Sequence, residues 1–329
     1  MIRRLMLAAS AVAVSAVAAA AEVKPAVVYD LGGKFDKSFN EAAYTGAEAF
    51  KTETGIDYAD FEIQNDAQRE QALRRFAQRG HDPIIAIGFS QAAAVEKVAK
   101  EFPESRFGIV DMVVDLPNVR SILFKEHEGS YLVGIMAAMA SESDKVGFVG
   151  GMDIPLIRKF ACGYVGGAKA AGATDVYQNM TGTTGAAWND PAKGSELTKN
   201  QFAQGADVVY HAAGGTGIGV IQAAADEGKL AIGVDSNQNG MAPGSVLTSM
   251  LKRVDIAVMD AFMDVKNDEW STGFEVLGLA EGGVDYAMDD NNKSLVSADM
   301  LTAVEAAKAK IISGEIVVHD YMADSTCPY

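Results

Sequence analysis

Three aspartates stand directly after short apolar runs of the kind that form buried strands. Asp30 follows AVVY, Asp111 follows FGIV and Asp235 follows IGV. An ionised aspartate accepts hydrogen bonds and donates none, so each of the three could hold hydroxyl or N–H groups of a small polar ligand. The pattern therefore indicates a binding site made of strand ends.

The segment AAGGTGIG, residues 212–219, follows an apolar run and precedes a helical pattern. The dinucleotide-binding spacing G-x-G-x-x-G from Gly215 and Gly217 would need a third glycine at position 220, which is Val220. Asp235 lies 20 residues after Gly215, where a carboxylate binds the two ribose hydroxyls in a dinucleotide fold. A ribose site, with or without a phosphate, and a tight strand-to-helix turn with a capping aspartate both remain open.

The segment DKSFNE predicts a helix that begins at Ser38. Ser38 and Glu41 have the spacing of a capping box, in which each side chain binds the other residue's amide. Phe39 has little use on the predicted buried face of this helix, which is made of alanines, glycine and Phe50. Trp188 stands in a loop just before a helix start at Pro191. Phe39 is therefore left for a contact outside the helix core, and Trp188 is either a core residue or part of a loop at the rim of the cleft.

The segment GFSQA, residues 88–92, resembles the nucleophile elbow of serine hydrolases, with alanine in the last place. Its base would have to be His127, His211 or His319, and Ser90 is more simply a helix N-cap. The histidines and cysteines show no zinc-ligand spacing, and no EF-hand loop is present. No nucleophile is paired with a base, so we expect neither an enzymatic activity nor a metal or other cofactor.

Strand-like runs alternate with helical patterns along the chain, which predicts an α/β protein with parallel sheets. There are two sets of alternating elements, so we expect two doubly wound lobes. Open parallel sheets bind ligands beyond the carboxyl ends of their strands. The residues expected there are Asp30, Phe39, Asn40, Ser90 and Asp111 in the first lobe and Trp188, Gly214, Gly215 and Asp235 in the second, with Lys252 directly after the strand-like run SVLTSML.

No Pro-, Ser- or Gly-rich linker separates the two sets. The lobes should therefore be joined by direct strand crossings, which places a hinged cleft between them. We assign residues 22–125 and about 248–272 to the first lobe, and residues 126–247 and about 273–329 to the second.

The N-terminus carries Arg3 and Arg4, an Ala-rich apolar run and small residues up to Ala21, which is the pattern of a cleaved export signal. No cysteine lies near Ala21 to carry a lipid, so we expect a periplasmic protein that does not insert in the membrane. Loss of the two arginines changes the net charge from −16 to −18, which disfavours nucleic acid as a partner. We expect a monomer.

The chain contains two cysteines, Cys162 and Cys327. In an oxidising compartment they could pair as a disulfide, which would hold the Pro-containing C-terminal tail. The alternative is two buried thiols.

Several segments together resemble the basic membrane protein (BMP) family of ABC-transporter substrate-binding proteins. These segments are DLGGKFDKSFN, FGIVDMVVDLPNV, FKEHEGSYLVG, GFVGGMDIPLIRKFACGYVGGAKA, GADVVYHAAGGTGIGV, IGVDSNQ and LTSMLKRVD. The resemblance covers nearly the whole chain after residue 21. It implies the two-lobed periplasmic binding protein fold of type I, a small-molecule ligand and ABC permease partners.

The resemblance also implies roles for single residues. Many members of the family look like purine nucleoside receptors, so Phe39 and Trp188 would stack on the two faces of a base. Asp111 would bind the base edge and Asp235 the ribose, with Lys252 near the ribose. Asn40, Gly214 and Gly215 match further ligand contacts.

This chain departs from the family pattern in two ways: it has no lipid-bearing cysteine, and it has Asn237 where an aspartate is common. Some members of the family resemble riboflavin receptors, so riboflavin or another ribose-like ring compound is the alternative ligand. A dinucleotide-dependent enzyme or a serine hydrolase is the alternative from another class.

Overall fold

The computed structural model describes residues 23–329, in which strands and helices alternate. The strands are β1 (Ala26–Tyr29), β2 (Ala59–Glu62), β3 (Ile84–Ala86), β4 (Phe107–Val110), β5 (Val119–Phe124), β6 (Lys145–Met152), β7 (Asp175–Gly182), β8 (Val208–Ala212), β9 (Leu230–Asp235), β10 (Val246–Lys252), β11 (Gly273–Leu277) and β12 (Val284–Tyr286). The helices are α1 (Phe39–Thr54), α2 (Gln68–Gln78), α3 (Ala92–Glu101), α4 (Glu126–Ala140), α5 (Pro155–Ala170), α6 (Pro191–Ala203), α7 (Gly217–Asp226), α8 (Val254–Asn267), α9 (Ala298–Ser313) and α10 (Tyr321–Asp324). The predicted export signal, residues 1–21, lies outside the described residues.

The first sheet has the strand order β11-β5-β4-β3-β1-β2, and its neighbouring strands are parallel. Its central strands β1, β3 and β4 are apolar and fully buried, as expected for a parallel sheet covered by helices on each side. Val27 and Tyr29 belong to the core that includes Phe50 of α1 and Phe262 of α8. Ala26 and the alternate residues of its neighbours pack with α2 and α3 on the opposite face.

The second sheet repeats this arrangement in the order β12-β10-β9-β8-β6-β7. Helices α6 and α7 pack on one face, around Phe202 and Ile221. Helices α4 and α5 pack on the other face, around Leu132 and Tyr164. The sequence predicted parallel sheets, but the edge strand β12 runs antiparallel to β10, so the second sheet is mixed. In both sheets the first strand lies between the second and third, which is the switch point where doubly wound sheets bind ligands.

Sheet membership differs from the expected lobe boundaries at two places. Strand β10, of which residues 248–252 were assigned to the first lobe, pairs in the second sheet. Strand β11, assigned to the second lobe, pairs with β5 in the first sheet. The chain therefore passes between the sheets three times: after β5, after β10 and between β11 and β12. These crossings are hydrogen-bonded to one another, from Lys125 N to Leu277 O at 2.9 Å and from Arg253 N to Gly283 O at 2.8 Å.

The structure joins Cys162 of α5 to Cys327 in the C-terminal tail by a disulfide, with the two Cα atoms 5.6 Å apart. The ring of Tyr329, also in the tail, packs against Gly166 of α5. The Tyr329 hydroxyl accepts a hydrogen bond from the His319 amide at 3.0 Å. The tail is thus held on the second lobe.

No helix within residues 23–329 is both long and apolar enough to cross a bilayer.

Candidate ligand-binding cleft

A cavity lies between the two lobes at the carboxyl ends of their strands. Its empty volume is about 590 Å³, the open mouth included. The first lobe lines it with Asp30, Leu31, Asp36, Phe39, Asn40, Gly88, Phe89 and Asp111, and the second with Leu156, Ile157, Phe160, Trp188, Ala212, Ala213, Gly214, Val234, Asp235 and Lys252. Eight of the ten binding residues expected from sequence line this cavity, whereas Ser90 and Gly215 do not.

The start of α1 differs from the predicted capping box, although the helix begins where expected. The Asp36 carboxylate accepts hydrogen bonds from the amides of Ser38, Asn40 and Glu41, at 2.8 to 3.1 Å. Ser38 makes no side-chain cap, and Glu41 accepts from the Lys37 amide instead. Asp36 therefore caps the helix, which frees the Ser38 hydroxyl for another partner.

Asp30 and Asn40 hold the first-lobe wall in place. The Asp30 carboxylate accepts a hydrogen bond from Arg69 Nη1 at 2.5 Å and another from the Ser90 hydroxyl. Asn40 Oδ1 accepts from the Asp30 amide at 2.9 Å, and Asn40 Nδ2 donates to Asp36 at 3.1 Å. Both side chains line the cavity, but these partners already occupy most of their hydrogen-bonding capacity.

Ser90 lies in a short 3₁₀ turn, Phe89–Gln91, just behind this wall. Among the described residues its hydroxyl is hydrogen-bonded to Asp30 and not to a histidine. A serine nucleophile needs a base within hydrogen-bond reach, so the elbow-like sequence does not form a hydrolase site here. Ser90 instead orients Asp30.

Lys252 lies at the end of β10, where the chain crosses back to the first lobe. Its Nζ is 2.6 Å from Asp111 Oδ2 and 2.9 Å from Glu126 Oε1, and the residue is 1% exposed. Lys159 binds the other oxygen of Glu126 at 3.0 Å. The resemblance implied only that Lys252 lies near the ribose, whereas its direct partners in the structure are Asp111 and Glu126. Glu126 was not identified from sequence because it looks like an ordinary first-turn helix residue.

The charges of this cluster follow from burial and ion pairing. Burial alone would raise the pKa of Glu126, but Lys159 and Lys252 outweigh it and lower that pKa. Burial also opposes the charge on Lys252, yet Asp111, Glu126 and Asp235 raise its pKa. Burial raises the pKa of Asp111, against the effect of Lys252. We therefore describe Lys252 and Glu126 as charged at neutral pH.

Asp111 has one carboxylate oxygen without a hydrogen-bond partner. Its Oδ2 is bound by Lys252, whereas Oδ1 is buried and has no hydrogen-bond donor among the described residues. Buried carboxylate oxygens are nearly always hydrogen-bonded in native proteins. A buried acceptor on the wall of the cavity is therefore suited to an N–H or O–H group of a ligand.

Asp235 ends β9 on the other wall and contacts the first lobe directly. Its Oδ2 accepts a hydrogen bond from the Ser38 hydroxyl at 2.5 Å. Burial raises the pKa of Asp235 to about 7, although Lys252 and this hydrogen bond act to lower it. Asp235 lines the same cavity as Asp111, so one ligand could reach both carboxylates.

Aromatic rings from both lobes line the cavity. Lys252 Nζ lies 5.0 Å from the centroid of the Phe39 ring and 5.6 Å from that of Phe160. The Trp188 ring lies directly on the backbone of Gly151, where an added Cβ would be 2.3 Å from the ring. Only glycine fits beneath that ring. Phe160 was missed because it reads as a core residue of α5, but its position soon after the carboxyl end of β6 was an available signal.

The glycines of AAGGTGIG have a packing role that the sequence left open. A Cβ at Gly217 would be 2.0 Å from the His211 ring, and one at Gly219 would be 1.8 Å from the Pro191 carbonyl oxygen. These two glycines allow α7 to pack closely on β8 and α6. Gly214, with φ of 56°, lines the cavity beside Trp188.

The arrangement suits non-covalent binding of a flat polar ligand. Rings from both lobes can cover an aromatic ligand, while Asp111 and Asp235 accept hydrogen bonds from its edges. Among the described residues no group of three or more histidine, cysteine, aspartate or glutamate side chains is placed to hold a metal ion.

Comparisons with known proteins identify the family of the chain. The sequence model of the Bmp family, described as ABC transporter substrate-binding protein PnrA-like, matches residues 23–321. A protein described as the ABC transporter nucleoside-binding protein BmpA of Lactococcus lactis is 33% identical, with 90% of this chain and 89% of that protein covered. A Pyrococcus furiosus protein described as an uncharacterized lipoprotein is 35% identical over 90% of this chain and 77% of its own length.

A solved structure shows the same architecture. The crystal structure of a solute-binding protein of an ABC transporter system from Aeropyrum pernix superposes with a TM-score of 0.83 at 30% identity, covering 90% of this chain and 94% of that one. Two lobes of the type I periplasmic binding fold are therefore confirmed.

Proposed function

The chain belongs to the Bmp family of PnrA-like ABC transporter substrate-binding proteins, and we propose that its ligand is a purine nucleoside such as guanosine, inosine or adenosine. The nucleoside would be captured in the cleft between the lobes and delivered to the permease of an ABC importer. The family and the structural neighbour are solute-binding proteins, and no reaction is part of this proposal.

The observation that carries the proposal is the unpartnered Oδ1 of Asp111, a residue that lines a cavity together with aromatic rings. A buried carboxylate oxygen without a donor costs about 1–3 kcal/mol or more, which a donor on the ligand would recover. Guanosine and inosine present an N1–H group on the base edge. Adenosine presents an acceptor there, so the ionised carboxylate favours guanosine and inosine.

The rings support a base as the ligand. Phe39 lies in the first lobe and Trp188 in the second, and both line the cavity. A base stacked on an aromatic side chain gains about 1–3 kcal/mol. Stacking between rings of different lobes also requires closure, so binding and closure would be coupled.

The second carboxylate supports a ribose. Asp235 lines the cavity on the second lobe, and Ser38 binds only its Oδ2. Oδ1 remains an acceptor for ribose hydroxyls. A free base lacks these hydroxyls and would leave this buried carboxylate less well satisfied.

We propose that the protein is located in the periplasm after removal of residues 1–21. There it would bind nucleosides and deliver them to the permease. The export pattern of Arg3, Arg4 and the Ala-rich run supports this location. The negative charge of the chain is consistent with an uncharged ligand rather than a nucleotide.

Thermal-shift screening of residues 22–329, unfolded and refolded to remove bound ligand, tests the proposal. A ligand at 100 times its dissociation constant adds about 2.7 kcal/mol of stability. We expect guanosine and inosine to raise the melting temperature more than guanine, ribose or riboflavin. A shift with riboflavin and none with any nucleoside would contradict the proposed ligand.

A further inference from the structure

We infer that Ser38 is a positioning residue that closes the cleft: it joins the two lobes and orients Asp235 toward the ligand. This inference rests on the proposed function. It concerns a set of contacts, here called the interlobe bridge, made by Lys37 and Ser38 of the first lobe with Asp235, Ser236 and Gln238 of the second.

Three hydrogen bonds make up the interlobe bridge. The Ser38 hydroxyl donates to Asp235 Oδ2 at 2.5 Å, and the Ser236 hydroxyl donates to the Ser38 carbonyl at 2.9 Å. Gln238 Nε2 donates to the Lys37 carbonyl at 2.8 Å. Ser38 and Gln238 are at most 1% exposed. Each of these bonds joins a residue of the first lobe to a residue of the second, so none can persist once the lobes separate.

The hydroxyl of Ser38 is available for this contact because Asp36 has taken over the helix cap. The three amides of Ser38, Asn40 and Glu41 are bound by the Asp36 carboxylate. A serine at a helix start ordinarily binds such an amide itself. Here it faces the other lobe, and the residue that follows it is Phe39 of the cavity.

The amide of Gln238 is oriented from inside the second lobe. Its Oε1 accepts a hydrogen bond from the Val234 amide at 2.9 Å and lies 2.9 Å from His211 Nε2. Two donors on the oxygen leave the nitrogen to face Lys37. His211 is fully buried and, since burial lowers its pKa to about 4, it is neutral at physiological pH. A neutral ring that donates from Nε2 fixes the amide in the orientation that reaches the first lobe.

The bridge and the ligand share Asp235. Ser38 holds Oδ2, and the cavity reaches the same carboxylate. Loss of the Ser38 hydroxyl removes one donor from a buried carboxylate and one tie between the lobes. Both losses act on the closed complex, so dissociation of the ligand should become faster while association changes little.

Stopped-flow kinetics with guanosine on the chain from residue 22 tests this. Ser38→Ala and, from the other lobe, Ser236→Ala should each raise the dissociation rate about tenfold, as the loss of one buried hydrogen bond predicts. Ser130→Ala is the matched control, because Ser130 is equally buried and its hydroxyl contacts Tyr210 within the second lobe. The association rate should stay within twofold in all three variants.

Dissociation rates of Ser38→Ala and Ser236→Ala that equal that of Ser130→Ala would overturn the inference. If the unaltered protein does not bind guanosine, the proposed ligand is wrong, and the interlobe bridge is then judged without ligand. In that case small-angle X-ray scattering should show a larger radius of gyration for the Ser38→Ala, Ser236→Ala double variant than for the unaltered protein. Equal radii would overturn the bridge independently of the ligand.

Discussion

The three carboxylates expected to bind ligand differ in how far the protein already satisfies them. Asp30 is bound by Arg69 and Ser90. Asp111 is bound on one oxygen by Lys252, and Asp235 on one oxygen by Ser38. Since a satisfied carboxylate gains little from a ligand, Asp111 and Asp235 are the residues on which affinity and selectivity should depend.

Asp111→Asn tests the base-reading role. An asparagine amide can rotate to present either a donor or an acceptor, so the variant should lose selectivity between guanosine and adenosine. We expect about a 10- to 100-fold loss of guanosine affinity and a smaller change for adenosine. Asp115→Asn is the control, because Asp115 is an exposed carboxylate in the same loop. An unchanged ratio of the two affinities in calorimetry would mean that Asp111 does not read the base.

Asp235 should make ligand-free stability depend on pH. Burial raises its pKa from 3.8 to about 7, so between these values the folded state binds more protons than the unfolded chain. The free energy of unfolding contributed by Asp235 therefore falls as pH rises from about 4 to about 7. The Asp235→Asn variant lacks this pH-dependent contribution to the free energy of unfolding. Buried His127 and His211 have lowered pKa values and make stability rise with pH, but they do so equally in both proteins.

Urea denaturation from pH 5 to 8 measures this difference. The stability of the unaltered protein relative to Asp235→Asn should decrease with rising pH and level off above pH 7. Parallel curves for the two proteins would show that Asp235 titrates normally in the folded state.

At the scale of elements, helix α1 carries two phenylalanines with different environments. Phe39 is half-buried in its first turn and lines the cavity, whereas Phe50 is fully buried against Phe262. Phe39→Ala should weaken nucleoside binding by about 1–3 kcal/mol with little loss of stability. Phe50→Ala should cost about 3–5 kcal/mol of stability, because it leaves a cavity in the core.

Calorimetry and thermal denaturation of the two variants separate these roles. A large drop in melting temperature for Phe39→Ala, with affinity unchanged, would identify Phe39 as a packing residue.

The elements that sequence could predict are those with an apolar pattern. Most strands of the two sheets are buried apolar runs, which is the pattern that predicted alternating strands and helices, and the ends of these strands located most of the cavity. Strand β11 was missed because its central residues are exposed at the sheet edge, and β12 because only Val284 of its three residues is buried. Ser38 was misassigned for a different reason: its local spacing to Glu41 fits a cap, but its partner Asp235 is 197 residues away. Long-range partners of this kind leave no local signal.

At the scale of the whole molecule, three crossings join the lobes and the cavity lies between them. Lys252 and Glu126 lie at two of these crossings, and their ion pair is buried beside the cavity. Asp111, which we propose binds the ligand, is therefore in direct contact with one of the segments that cross between the lobes. Closure of the cleft would bring Asp111 of one lobe and Asp235 of the other to the same ligand.

The charges around the cavity bear on which ligands can enter. Among the described residues that line it, Lys252 is the cationic side chain, and it is already paired with Asp111. Asp30, Asp36, Asp111 and Asp235 line the same space. A phosphate would meet these carboxylates without a free cation, so a nucleoside should bind much more tightly than its monophosphate.

Isothermal titration calorimetry of ligand-free protein with guanosine, guanine and guanosine monophosphate decides whether the cleft is a nucleoside site. Guanosine should bind at one site per chain, guanine far more weakly because it cannot reach Asp235, and the monophosphate weakly as well. Equal affinity for guanine and guanosine, or tighter binding of the monophosphate, would show that the cleft does not select nucleosides.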